Sequence, residues 1–156
     1  MNTDVILKTR QCRSTLHVLV PCLLSTLVTA GGLARADEPV QTYYEVEDLG
    51  TLPGDTGSVA WGINSLGQVV GWSSGSQGTR AFVYTNEQGI VELAGLTPQS
   101  RGLARDINDH GMIVGQSDAH AVFWDAQRAI RDLGTLGGGE AEATAINTAG
   151  DVVGWS

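Results

Sequence analysis

Beyond residue 36 the chain of 156 residues holds no cysteine, because Cys12 and Cys22, its only two, precede that point. A disulfide frame and a thiolate metal site are thereby excluded from that portion, whose stability must come from packing. Positive charge is scarce as well. Setting aside Lys8, Arg10, Arg13, Arg35 and Asp4 leaves five arginines against sixteen acids, a net charge of −11. Such a surface repels phosphate backbones and anionic lipid, which argues against nucleic acid or a membrane surface as partner. Only His110 and His120 are histidines there, and their spacing does not suit zinc. No Ser/His/Asp spacing is found around a nucleophile elbow. Gly137-Gly138-Gly139 lacks the strand–glycine–helix setting of a phosphate loop and reads as a flexible connection. No helical period appears between the apolar runs.

The first 36 residues differ from the rest. Lys8, Arg10 and Arg13 make a basic start, residues 16–30 form an apolar run, and Ala34-Arg35-Ala36 places small residues where a leader peptidase reads them. This is the three-part pattern of a secretory signal peptide, with cleavage expected between Ala36 and Asp37. A membrane anchor is the rival reading, but the run carries His17 and Pro21 and is short for a span. A lipoprotein reading at Cys22 fails because Pro21 stands where a small residue is needed. The chain is therefore expected to be secreted, periplasmic or extracellular, with no membrane insertion after cleavage.

What the remainder has is repetition. Asp48-Leu49-Gly50-Thr51-Leu52 returns as Asp132-Leu133-Gly134-Thr135-Leu136. A second shared stretch begins at Ala60, Ala104 and Ala143, and carries Ile-Asn, then glycine three residues after the asparagine, then glycine four further on. The recurring positions are Asn64, Gly67 and Gly71; Asn108, Gly111 and Gly115; and Asn147, Gly150 and Gly154. Asparagine caps a tight turn with its own side chain, and glycine at the fourth turn position takes the left-handed conformation without steric cost. Each turn joins two apolar, alternating runs, which is a hairpin signal.

Strand one is expected at 58–64, 103–108 and 143–147, strand two at 68–73, 112–117 and 151–156, strand three at 80–84 and 120–124, and strand four at 90–93 and 130–133. Residues 43–49 read as a fourth strand with no strands before it. The 86–89 turn repeats the asparagine–glycine chemistry, whereas 126–129 has lost both residues. Gly71 to Arg80 is longer than Gly115 to His120, so the expectation is a longer loop between strands two and three of the first unit. Gly71, Gly115, Gly154, Ala60, Ala104 and Ala143 are expected to let neighbouring sheets approach, with Trp72 and Trp155 filling space between them.

Four short strands joined by tight turns make an antiparallel meander, since parallel crossovers need longer connections. The fold class is all-β, with antiparallel four-stranded repeats packed as an incomplete β-propeller of about 2.5 blades. A β-sandwich or a solenoid is the alternative. The organisation reads as a leader (1–36), an opening segment (37–47), and β repeats (48–156) divided at 48–91, 92–131 and a partial 132–156.

These motifs, with a third-strand triplet, resemble the HAF family of probable extracellular repeats, named for His-Ala-Phe. The matching triplets here are Arg80-Ala81-Phe82 and His120-Ala121-Val122, so neither keeps the name intact. The resemblance covers 48–156 and implies an exported, propeller-like repeat protein. It brings no established activity, cofactor or catalytic residue.

Candidate chemistry is sparse. Asp106-Ile107-Asn108-Asp109-His110-Gly111 has part of a calcium-loop pattern, but His110, Leu66 and Ala149 stand where an acid is required, and the residues that recur are those the turn needs. His120 begins a strand where the other unit has Arg80, which suits a polar strand-end role. Asp118 and Asp125 flank strand three and are the acids a glycosidase would use. No catalytic, cofactor-binding or metal residue is assigned, and no cofactor is called for. The function expected is a non-enzymatic scaffold or binding module for an unknown protein or carbohydrate partner; the alternative is a propeller-based polysaccharide hydrolase or lyase using loop carboxylates. Open blade faces carrying Val69, Trp72 and Trp155 would favour self-association.

Overall fold

The computed structural model describes residues 6–8 and 45–156. Among these residues there is no helix, and every strand pairing of known register is antiparallel. No helix among them is long and apolar enough to cross a membrane. The chain divides into two compact units, Leu7–Glu47 and, in the main, Asp48–Ser156. Strands β1 (Ile6–Lys8) and β2 (Glu45–Glu47) form a two-stranded pair. The expected leader lies outside the described residues apart from Ile6–Lys8. Residues 43–49 were expected to enter a blade as its fourth strand; among the described residues β2 pairs with β1 instead.

The repeat unit holds two four-stranded meanders and a hairpin. The first sheet is β3 (Asp55–Ile63), β4 (Val69–Gly75), β5 (Gly78–Thr85) and β6 (Gly89–Glu92), hydrogen-bonded in that order. The second is β7 (Gly102–Ile107), β8 (Ile113–Ser117), β9 (His120–Trp124) and β10 (Ile130–Gly134), again in chain order. The hairpin is β11 (Glu142–Ile146) and β12 (Val152–Trp155). The expected strands are thus all present, because strict turn chemistry between alternating runs leaves the chain little else to do.

The sheets pack face to face. Val70, Ala81 and Val83 of the first sheet meet Ala104, Ile107, Ile113, Val122 and Trp124 of the second in one buried cluster. The opposite face of the second sheet, through Val114 and Phe123, packs on Ala143, Ile146 and Val152 of the hairpin. The two faces follow from register. Ile113 pairs Trp124 and Gly115 pairs Val122 on one side, while Val114 pairs Phe123 on the other.

Three expectations about packing are corrected. The connection between strands two and three is a two-residue turn in both sheets, closing at Gly75↔Gly78 and at Ser117↔His120. The extra residues of the first unit lengthen both strands by two paired rungs, because paired backbone satisfies its own polar groups and an open loop would not. The recurrent glycines Gly71, Gly115 and Gly154 do not mark contacts between sheets. A Cβ there would lie 2.0, 1.9 and 2.0 Å from a carbonyl of strand one in the same sheet (Val59, Leu103 and Glu142). Each sits opposite a β-bulge that inserts Trp61, Arg105 or Thr144 into strand one. Close approach between sheets falls on Gly62 and Gly102 instead, against Asp106 and Ala81. Finally, Val69 is buried, at 2% exposed, whereas Trp155 is 49% exposed rather than packed between sheets. Val69 lies on the opposite face of its strand from Val70, paired with Tyr84 and on the same face as Phe82, which is also buried.

Candidate functional site

The recurrent asparagines are the most connected polar side chains of the repeat. Asn64 Oδ1 accepts the N–H groups of Leu66 and Gln68 at 3.1 and 3.0 Å. Asn108 Oδ1 accepts those of His110 and Met112, both at 3.0 Å. Asn147 Oδ1 accepts from Asp151 at 2.9 Å. Gly67, Gly111 and Gly150 close these turns at φ of 74°, 75° and 91°, as the sequence requires.

The amide nitrogens do something the sequence did not announce. Asn64 Nδ2 donates to the carbonyl of Asn108 at 3.0 Å, and Asn108 Nδ2 to the carbonyl of Asn147 at 2.9 Å. The same residue therefore caps its own turn and fastens the next unit. Asn147, the last, turns its amide to the Asp151 carboxylate at 2.8 Å. Asp109 adds a parallel tie, accepting the Ser65 N–H at 2.8 Å. That hydrogen bond is the main reason its carboxyl is held below the ordinary value.

A second recurrent tie involves the serine two residues after each strand-two glycine. Ser73 Oγ accepts the Leu52 N–H and Ser117 Oγ the Leu96 N–H, at 3.1 and 3.0 Å; Ser156 Oγ donates to the Thr135 carbonyl. In the two Asp-Leu-Gly stretches, Asp48 and Asp132 accept the N–H of Gly50 and Gly134, which sit at φ of 77° and 78°. These motifs are Asx-turn loops tied to the end of strand two.

The acid pair considered for catalysis is not brought together. Asp118 lies in the turn before β9 at φ 51° and accepts the Arg101 N–H at 2.9 Å; Asp125 follows the far end of β9. The five residues of β9 lie between them and span roughly 16 Å, well beyond the spacing of either glycosidase geometry. Asp125 instead restores the turn at 126–129, which was expected to lack its chemistry. Its Oδ1 accepts from Gln127 and Ala129 at 3.0 and 2.9 Å, and Arg128 takes the left-handed position at φ 66°.

His120 Nδ1 lies 2.9 Å from Asp132, on the edge where Arg80 pairs with Glu92 at 2.7 Å in the unit before. The Asp132 carboxyl is held below its ordinary value, first by the Gly134 N–H and then by His120. Arg80 also lies 3.0 Å from the buried Asp55. The calcium-like loop is engaged in the fold. Asp106 accepts the N–H groups of Ile107 and of Ile146 in the hairpin, both at 2.9 Å, while Asn108 and Asp109 serve turns as described.

Sequence reasoning missed one constellation. Arg105, the bulge residue of β7, lies with its guanidinium carbon 3.3 Å from the centre of the Trp61 ring, the bulge residue of β3. It is also ion-paired to Glu142, which accepts at 3.3 Å from Trp155. Burial lowers the Arg105 pKa from its ordinary value. The signal available was positional: Trp61, Arg105 and Thr144 occupy one alignment column with no chemistry in common. Two clefts also recur at one place. A cleft of about 260 Å³ lies beside Arg80, Glu92, Thr97 and Ser100, and one of about 220 Å³ beside Ala121, Leu133, Leu136 and Trp155.

Sheets in meander order, bonded unit to unit through equivalent residues, define an all-β antiparallel protein of repeated build. Comparison with protein-family models, curated proteins and solved structures finds no match.

Proposed function

We propose that this chain is an exported, non-enzymatic β-repeat module of propeller type, related to the HAF repeats, which presents the loops between its units to a protein or carbohydrate partner. One observation carries the reading. The polar side chains that recur from unit to unit (Asn64, Asn108 and Asn147; Ser73, Ser117 and Ser156) are engaged in capping turns and tying units together. A repeated catalytic group would leave a recurrent side chain directed at a ligand. The stacking of strand-one elements on one another, through Gly62 against Asp106 and Asp106 against Ile146, suits blades arranged about an axis.

The test is a polysaccharide array and a turnover assay run side by side, on the natural chain and on Asp118→Asn with Asp125→Asn. Binding without turnover, unchanged by the two substitutions, is the expected result; turnover lost on substitution would replace this reading with that of a hydrolase or lyase. Export is tested separately, by N-terminal sequencing of secreted material. The first residue should be Asp37, and material beginning at Met1 would refute the leader.

A further inference from the structure

The side chains that recur from unit to unit are consumed by turns and ties, which leaves ligand recognition to positions where the backbone is constant and the residue is not. Each unit has one such position. The bulge of strand one inserts Trp61, Arg105 or Thr144, and a bulge re-aims the side chain that it adds. β3 and β7 are the outermost strands of their sheets, so Trp61 and Arg105 stand at the edge of the stacked units. The fold makes no demand for tryptophan there, since arginine and threonine hold the same place. Trp61 is 42% exposed, although the four-stranded second sheet stands beside it. Its ring is held all the same. It meets the Trp72 ring edge-on, with centroids 6.3 Å apart at 73°, and the Arg105 guanidinium carbon lies 3.3 Å from its centre. Arg105 is itself pinned through Nε to Glu142, whose side chain is only 7% exposed. The two terminal nitrogens of Arg105 have no partner among the described residues, and neither is buried.

We infer that Trp61 and Arg105 form a binding site for a neutral pyranose unit of a carbohydrate chain, the indole taking the apolar face of the sugar ring and the Arg105 terminal nitrogens donating to its hydroxyls. This site deepens the reading of the chain as a binding module and rests on it. A pyranose has a face of C–H groups and a rim of hydroxyls, so it calls for a flat apolar surface beside fixed hydrogen-bond donors. Guanidinium nitrogens are donors only and serve hydroxyl oxygens directly. Charge excludes the other ligands of an arginine and a tryptophan. The Arg105 charge is matched by Glu142, and the chain beyond residue 36 carries −11, so a carboxylated or sulfated sugar is repelled. Arg105 already occupies the cation's seat on the Trp61 ring, which leaves no place for an ammonium group. One ring and one guanidinium also fall far short of the roughly 800 Å² per partner that a stable protein interface covers. Because the neighbours hold both side chains in place, little rotamer freedom is lost on binding.

The test titrates the full chain with cellohexaose, mannohexaose and N-acetylchitohexaose, and with an oligogalacturonate as the acidic control, following tryptophan fluorescence and calorimetric heat. With a single ring as platform, at least one neutral hexasaccharide should bind with a Kd of about 0.1–1 mM. Trp61→Thr, which sets at the bulge the residue that the hairpin carries there, should weaken that binding about tenfold or more while far-ultraviolet circular dichroism stays the same. Arg105→Lys keeps a cation for Glu142 but lacks the paired terminal nitrogens; it should weaken binding about threefold or more, and it decides the matter if Trp61→Thr fails to fold. The inference is overturned if no neutral hexasaccharide binds at about ten times the expected Kd, or if the oligogalacturonate binds more tightly than all of them. It is overturned too if binding survives both substitutions unchanged, a result that would leave the module reading standing and place the site elsewhere. Cleavage of a bound hexasaccharide, seen by chromatography of the titrated samples, would instead overturn the module reading and this inference with it.

Discussion

Asn108 shows how much one side chain can carry. Replacing it with alanine removes the acceptor for two turn N–H groups and the donor to the next unit, so a loss of about 2–3 kcal/mol is expected in urea denaturation. Asn108→Asp keeps the turn acceptor but sets a carboxylate oxygen against the Asn147 carbonyl in a buried site, and should cost no less than about 2 kcal/mol. The glycines separate into two kinds. Gly115→Ala would set a Cβ 1.9 Å from the Leu103 carbonyl and should prevent folding or cost upward of about 3 kcal/mol, whereas Gly50→Ala meets nothing within 4 Å and bears only the left-handed strain of about 1 kcal/mol. Thermal melts of the two variants check the contrast. Asp132 supplies a pH signature. Its carboxyl is depressed below 3.8 in the folded chain, so its contribution is present above that value and is lost as pH falls through the lower folded value. The acid limb below about pH 4 should therefore be shallower in Asp132→Asn, which retains the acceptor for Gly134. The turn asparagines were legible because the N–H groups their Oδ1 accepts lie two and four residues on. Their amide donors were not, since the acceptor lies in another sheet and no local spacing encodes it. The glycines were visible as recurrent but misread, because a bulge adds a residue without disturbing the apolar pattern on either side.

Elements were read with little error, for the turns fix where strands begin and end. The exceptions are physical. The first unit's surplus residues became two additional rungs of β4 and β5, a choice between loop and ladder that sequence length alone does not make. Asp125 with Arg128 rebuilt a turn from residues that seldom serve there, Arg128 holding a positive φ that glycine usually supplies. Burial divides the elements by local stability. All five residues of β8 are buried and pair on both edges, while three of the four in β12 are exposed. Native-state hydrogen exchange should find β8 amides slowest and β12 amides fastest among the strands of the repeat unit. Slow exchange at β12 in dilute protein would contradict this ordering.

At the scale of the molecule, the two interfaces between units are unequal. Nine buried apolar residues join the first and second sheets, and three join the second sheet to the hairpin. Each unit leans on its neighbour, so denaturant should release the hairpin before the two sheets separate. Exchange at Val152–Trp155 should thus be lost at lower urea than the far-ultraviolet dichroism of the sheets; a single coincident transition would show the three units to be one cooperative body. The sequence conveyed the stacked repeats but not the asymmetry, because the alignment treats as equal positions that differ in what lies beyond them. The asparagine chain has a consequence for descent. Donor and acceptor reside on one residue, and each copy offers its carbonyl backward and its amide forward. A unit duplicated in the gene is thereby compatible with its parent from the first generation, without a compensating mutation on either side. The joint is head-to-tail and has a direction, so the array can lengthen by copying and keep its polarity.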